Sequence, residues 1–502
     1  MIADPVSEWM SLGAALVLEQ DLATSRHMEA VLVTSDTGAY QRGAAKILRT
    51  TIQIYNERIE AHLSLTDLAT QRVLSSENVR VSSSGGVLGA VNLVAKRIDP
   101  QAASFSTKSE QAWRAYTAAA ASSNLQARVQ MLHAAVNADP SFGLAYLVLA
   151  QVLSQAGDHD LAPLLSAAAS HEASFTVLDQ ARFSALAARL SGAPLAQQAN
   201  ASNAVLKLAP NDVDALATLG SESFLRNNGA EGERLLKRAI DLNPTDVNIR
   251  AELAQGLVEA RRFSEAEKTF TGIDNHAVFL PQLAVCILLE GDPGRANATY
   301  ANYLQDRAAA NDPLLFLAQA NWLAVSKTPA DGVQYLARNN FSQGDLRSLA
   351  YSQSSIWRLM SKDTGGAKKD AALAPALAKA PVAQYFATIA TLMASSDEPA
   401  AEWREQVNAS ALNASSKRVV LAYGLFVNGR YPEAAAEWQA LARQSGDADL
   451  RARAMLAASL DRAGRSGDAQ KIAVQPFLPN LTGADQFAVL PFEEMRRLLK
   501  QH

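Results

Sequence analysis

LKLAPNDVDALATLG (residues 206–220) and IDLNPTDVNIRAELA (residues 240–254) are near-copies of one pattern, and their prolines, Pro210 and Pro244, stand 34 residues apart. A fixed period of that length on a helical background predicts a stack of two-helix repeats, each pair covering the apolar face of the next. Aligned on the proline, residues 213–246 supply Leu216, Leu219-Gly220, Leu236, Ala239 and Pro244. Residues 247–273 supply Leu253-Ala254, Leu257, Ala266 and Phe270, and residues 277–303 supply Leu283-Ala284, Gly291, Ala296 and Tyr300. The pattern recurs earlier as Tyr146, Leu149-Ala150, Gly157, Ala162 and Ala169. Later it recurs as Leu421-Ala422, Gly429, Ala434 and Trp438, then as Leu456-Ala457, Gly464 and Ala469. Small residues at these places let paired helices approach, and bulky ones fill the gap between neighbours. Segments 175–209, 310–345 and 346–410 keep the helical period but lose register, with Pro329 and Gly365-Gly366 as turns; they read as degenerate repeats. Dividing the array by its period predicts about ten helical pairs. The final stretch, ADQFAVLPFEEMRRLLKQH (484–502), reads as a terminal cap.

The first hundred residues differ. A helix is expected from Val6 to Ser25, followed by MEAVLVTS (28–35), a short run rich in β-formers. A second helical stretch, TGAYQRGAAKILR (37–49), leads into residues 50–81. There Ile52 and Ile54, then Ile59, Ala61, Leu63 and Leu65, alternate with polar residues at strand period. Asn56-Glu57 and Asp67 to Gln71 mark turns, so a β-meander of two or three strands is expected. A helix over GVLGAVNLVAKRID (86–99) follows SSSGG. The polar segment DPQAASFSTKSEQ reads as a linker.

Composition bounds the partners. The chain has 502 residues, 48% hydrophobic and 19% charged, with a net charge of -4 and no basic cluster. That gives no electrostatic case for nucleic acid or anionic lipid. No apolar run approaches the roughly 20 residues that span a bilayer, so no direct membrane insertion is expected. The start, MIADPVSEWMSLGAALVLEQD, lacks a basic n-region and is a poor signal peptide, which reads as cytoplasmic; a truncated amino terminus would make the periplasm the alternative. The single cysteine, Cys286 within LAVCILLE, reads as a small buried hydrophobe.

The spacing of Leu219-Gly220, Ala239, Pro244, Ala266 and Phe270 resembles the tetratricopeptide repeat (TPR) family, most closely over residues 210–303 and 415–473. It departs in lacking the usual early Trp, and Arg128 stands where a small residue is expected. The amino-terminal part, through AYQRGAAKILRTTIQIYNERIEAHLSLTDLATQRVL with Leu65, Asp67 and Thr70, resembles the TolB N-terminal-like α/β domain of bacterial proteins. That family's first strand has no counterpart before Val6, so either the chain start is truncated or the sheet lost an edge strand. The resemblances imply a mostly α fold: a TPR-type α-α superhelical solenoid over 112–502, a linker over 101–111, and a small α/β domain with a mixed sheet over 1–100.

Chemistry is sparse. SSSGGVLGAVNLVAKR lacks the spacing of a phosphate loop, and the seven histidines show no metal-binding pattern. There is no nucleophile elbow. Glu493, Glu494, Asp370 and Asp397 read as solvated acids. No catalytic residue, cofactor or metal is expected. In the TPR family, positions 2, 5, 9 and 12 of the first helix face a concave groove. Carried over, these are Asp214, Ala217, Ser221 and Phe224, then Asn248, Ala251, Gln255 and Val258. The candidate groove residues are Asp214, Ser221, Phe224, Asn248, Gln255 and Val258, with Phe224, Tyr423 and Phe426 as plausible in a core. Only Asn248 fits the family's carboxylate clamp. The expected role is a non-enzymatic scaffold or adaptor binding a protein or peptide on the concave face of the solenoid, in an undetermined oligomeric state; the alternative is a sensory or regulatory module, derived from a bacterial membrane signalling protein, that recognises a ligand.

Overall fold

The computed structural model describes residues 8–501 except 29, 34, 56–57, 83–85, 157–159, 274–275, 340–343, 399, 447 and 484. The expected turn at Asn56-Glu57, the repeat position Gly157, and Val6, His159 and His502 lie outside the described residues. The chain divides into two compact units, residues 1–220 with 234–249, and residues 221–233 with 250–502.

The first unit opens with α1 (Glu8–Leu22) and the short α2 (Asp36–Gln41). Strands β1 (Lys46–Tyr55), β2 (Arg58–Asp67) and β3 (Val73–Ser82) follow, then α3 (Gly86–Ile98). Ile52 faces Ala61 and Leu48 faces Leu65 across the first strand pair. The sheet has the order β1-β2-β3 and is antiparallel throughout, which corrects the expected mixed sheet. Consecutive strands joined by tight turns can only pair antiparallel; a parallel pair would need a crossover helix between them. The β-formers at 28–35 make no strand among their described residues. Leu32 packs into the main core with its amide on Glu19 Oε1 at 2.9 Å, and Val33 packs against Ala39, Ile47 and Leu68. The helix expected over 37–49 stops at Gln41, because Gly43 turns left-handed (φ 69) and Lys46 already begins β1.

Eleven two-helix repeats follow among the described residues. They begin with α4 (Glu110–Ala121) and α5 (Leu125–Ala138), α6 (Gly143–Ala156) and α7 (Leu161–His171), and α8 (Val177–Leu190) and α9 (Leu195–Leu208). Next come α10 (Val213–Leu225) and α11 (Gly229–Leu242), α12 (Val247–Glu259) and α13 (Phe263–Thr271), and α14 (Leu280–Glu290) and α15 (Pro293–Ala309). Then follow α16 (Leu315–Ser326) and α17 (Pro329–Arg338), α18 (Gly344–Met360) and α19 (Thr364–Leu377), and α20 (Pro381–Ala394) and α21 (Ala400–Ala409). The last are α22 (Ala414–Val427) and α23 (Tyr431–Gln444), and α24 (Leu450–Arg462) with the stub α25 (Ser466–Ala469); α26 (Val489–Gln501) stands alone. The fold is therefore a helical repeat array preceded by a small sheet-containing module. The out-of-register segments 310–345 and 346–410 fold into ordinary pairs, α16 to α21.

Two local devices make the repeat. At the junctions before α10 and α12, proline ends the preceding helix and an aspartate starts the next. Ala209, just before Pro210, leaves helical geometry (φ -129, ψ 85), and Asp212 Oδ1 accepts the Ala215 amide at 2.9 Å. Asp246 does the same for the Asn248 amide. Within repeats, the turn between helices holds a left-handed residue in seven cases among the described residues: Gly192, Asn227, Arg261, Gly291, Lys362, Gly429 and Gly464.

Core packing follows the small-large rule. A Cβ on Gly256 would come within 2.3 Å of the Phe224 ring, and one on Gly424 within 2.3 Å of Trp403. Cys286 is fully buried, and burial pushes its thiol up to about 12, as expected of a space-filling side chain. In the first unit, α1, the sheet, α3 and the helices from α4 to α8 contribute to a single core. The segment expected as a linker is part of it: Ala102, Phe105 and Thr107 are buried, with Phe105 packed edge-on to Phe142.

Candidate interaction surface

In the second unit the first helices α16, α20, α22 and α24, with the second helix α15 and the last turn of α10, line a face, and that face is occupied by the chain itself. Residues 473–483 and 485–487 run along it without helix or sheet, and side-chain donors hold several of their carbonyls. Arg453 on α24 donates to Ala473 O. Tyr300 Oη reaches Leu481 O at 3.1 Å, and Arg307 reaches Thr482 O. Asn321 Nδ2 on α16 donates to Gly483 O at 2.8 Å, and Tyr423 Oη on α22 to Phe487 O at 2.8 Å. The Phe487 ring stacks on Tyr423 with centroids 4.1 Å apart. In return Gln475 Nε2 donates to Phe224 O at 2.8 Å, and Gln486 Nε2 to Phe386 O at 3.2 Å. Tyr300, Asn321 and Leu481 are fully buried.

The strap's two ends are anchored differently. At its start, Arg453 also donates to Leu225 O at 3.1 Å, so α24 meets the last turn of α10. Burial pushes the nearby Glu259 carboxyl up to about 7, with Arg453 pulling the other way. At its end the strap becomes α26, which packs on α24 and α16 with Phe492 and Met495 fully buried. Arg462 and Arg497 bind Glu494 at 2.5 and 2.8 Å, and Arg358 binds Asp370 at 2.8 Å. Helix α26 thus covers α24 of the last repeat, where a terminal cap was expected, and reaches α16 as well. Glu494 and Asp370, expected as solvated acids, are buried partners of arginines.

The first unit covers its own repeats by another route. Helix α1 lies on α4, with Gly13 against the Trp113 ring and Trp9 packed edge-on to Trp113 at 4.7 Å. Its far end reaches α8, where Arg182 donates to Gln20 Oε1 at 2.9 Å and pairs with Asp212 at 2.7 Å. Arg42 donates to Asn243 Oδ1 at 3.3 Å. Asp21 is fully buried, neither carboxylate oxygen has a hydrogen-bond partner, and burial pushes it up to about 8 against the pull of Lys96.

The six expected groove residues separate. Asp214 and Asn248 belong to the first unit and are exposed. Ser221, Phe224, Gln255 and Val258 belong to the second. Phe224 and Val258 are core side chains, 1% and 0% exposed, which removes their side chains from any open face. Phe224 serves the strap only through its carbonyl. Ser221 donates to Glu252 Oε2 at 2.9 Å, and exposed Gln255 donates to Glu259 at 3.3 Å. Tyr423 meets both readings at once, buried yet facing the strap, whereas Phe426 packs against Tyr431. The residues that sequence reasoning missed are Tyr300, Arg307, Asn321 and Arg453. Their spacing is ordinary, and their partners are carbonyls, which leave no mark in a sequence.

Among the described residues no group of three or more His, Cys, Asp or Glu is placed to hold a metal ion, and no helix is long and apolar enough to cross a membrane. Neither a protein-family model nor a curated protein sequence matches the chain. Solved structures similar to it include Ypp1, at 12% identity and TM-score 0.39 over 74% of this chain and 60% of Ypp1. The TPR domain of P58(IPK) matches 72% of this chain and 99% of its own, at 14% identity and TM-score 0.21. Naa15/Naa10 bound to HypK-THB matches 78% of this chain and 65% of its own, at 13% identity and TM-score 0.23. The chain spans about three fifths of the length of Ypp1.

Proposed function

We propose that the chain is a non-enzymatic protein-interaction scaffold of TPR type, binding a partner protein or peptide on the face lined by the first helices of its repeats. One observation carries this reading: that face in the second unit already holds an extended segment, gripped through the backbone as a peptide would be. The test is affinity capture with the full chain, cross-linked in its own cells. A protein recovered in near-stoichiometric amount is expected; a chain that comes back alone across growth conditions refutes the scaffold.

The alternative, a module that recognises a small ligand, also has an observation in its favour. A cavity of about 210 Å³ lies between α1, β1 and α3, walled by uncharged residues including Ala14, Leu18, Leu48 and Ile52. The Thr50 hydroxyl there is buried without a partner. Filling the space with Ala15→Leu and finding that no tested apolar alcohol changes the melting of either protein would remove this reading.

A further inference from the structure

We propose that residues 473–487 are an intramolecular stand-in for a partner, and that the competing occupant is an extended segment of another protein, uncharged but for one acid near its carboxyl end, where Asp485 faces Arg451. This rests on the scaffold reading and names the surface and the kind of ligand. Three properties of the strap define that ligand. Residues 473–484, AVQPFLPNLTGA, contain no charge, so the donors Arg307, Arg453, Asn321, Tyr300 and Tyr423 act on carbonyl dipoles rather than on carboxylates. Pro476 and Pro479 lack amide hydrogens and favour an extended backbone, which suits a face that recognises carbonyls. An aromatic ring, Phe487, closes the contact by stacking on Tyr423.

Carbonyl recognition is indifferent to side-chain identity, so a different chain of the same shape satisfies the same donors. The strap also fits imperfectly. Asn321 Oδ1 is buried beside it and receives no hydrogen bond. An occupant offering a donor at that point satisfies an atom the strap leaves empty. Both ends of the strap remain tethered, through α25 and α26, so displacement lifts a loop without detaching the terminus. Because Asn321 and Tyr423 are buried, an empty face would strand their polar atoms, whereas Tyr300 Oη would keep the Ala318 carbonyl at 3.2 Å. Exchange of one occupant for another is therefore favoured over simple release.

The experiment uses the full chain and a fluorescein-labelled synthetic peptide, AVQPFLPNLTGADQF, read by fluorescence anisotropy. The double variant Gln475→Ala, Phe487→Ala weakens the strap and leaves the five donors intact. It is expected to bind the peptide at least ten-fold more tightly than wild type, and adding Asn321→Ala is expected to abolish that gain. Equal binding by a double variant that still melts cooperatively overturns the proposal, as does a gain that survives Asn321→Ala. Should the double variant fail to fold, amide exchange on the wild type decides. Strap amides opening faster than those of α24 and α26 uphold the proposal, and strap amides opening only with the whole unit sink it. A partner captured from cells that leaves strap exchange unchanged preserves the scaffold and refutes this inference alone.

Discussion

The two units bury the open face of their repeats with different material. The first uses a folded module, α1 to α3 with its sheet, and fixes it with charged and amide side chains such as Arg182, Gln20 and Asp212. The second uses an extended strap fixed by side-chain donors on backbone carbonyls, then a helix packed with Phe492 and Met495. A folded cover must bring its own polar groups into the interface, and one of them, Asp21, ends buried without a partner. An uncharged strap brings none that are charged until Asp485. The first cover is thereby sensitive to protonation at an acid without a partner; the second meets charge only at its end, where burial raises Asp485 against the pull of Arg451 and raises Glu493 to about 7, and otherwise depends on packing and on hydrogen bonds to its backbone.

The largest effect that would break this contrast lies at Asp21. Its folded-state pKa of about 8 stands above the ordinary 3.8, so ionisation opposes folding. The penalty is absent below about pH 4, grows as pH rises, and is complete above about pH 8. Asp21→Asn should therefore stabilise the first unit by up to about 5 kcal/mol at pH 8 and leave it unchanged at pH 4. Denaturant titrations at the two pH values, with exchange resolved by segment, check this; an equal effect at both would dissolve the contrast.

Next in size is Phe492→Ala in the second cover, which should cost about 4 kcal/mol as a fully buried aromatic in α26. The loss should appear as faster exchange of residues 473–501, with the first unit's amides unaffected. If the first unit loosens equally, the two covers are not independent.

The smallest effect sharpens the comparison by testing what both units share. Arg261 occupies a left-handed turn that glycine fills in other repeats. Arg261→Gly should gain about 1 kcal/mol, and Gly464→Ala should lose a similar amount, both measured by chemical denaturation. Opposite signs would mean that tertiary contacts, rather than backbone strain, hold these turns.

The repeats were legible because their signals are local. Pro210 and Pro244, the aspartates that follow them and the Leu-small pairs each act within a turn or two of helix. The strands at 46–82 were legible from alternation for the same reason. The run at 28–35 misled because β-branched residues also suit an irregular segment lying on a core. The candidate surface was scarcely legible. Gln475 meets the carbonyl of Phe224 across 251 residues, and Asn321 meets Gly483 across 162. No periodicity spans such separations, and the acceptors are backbone atoms common to every residue. Carrying groove positions over from a family also put Phe224 and Val258 on an open face, whereas both side chains lie in the core.

The position of the strap constrains how the protein is made. A ribosome delivers residues 473–501 after every helix that encloses them. Until then the second half of the nascent chain has Asn321 and Tyr423 without their acceptors and a face lacking Leu481 and Phe492. Helices α12 to α24 must therefore wait, half-assembled, for the segment that belongs at their centre. Their exposed interval on the ribosome is set by translation speed, and during it their apolar surface is open to aggregation.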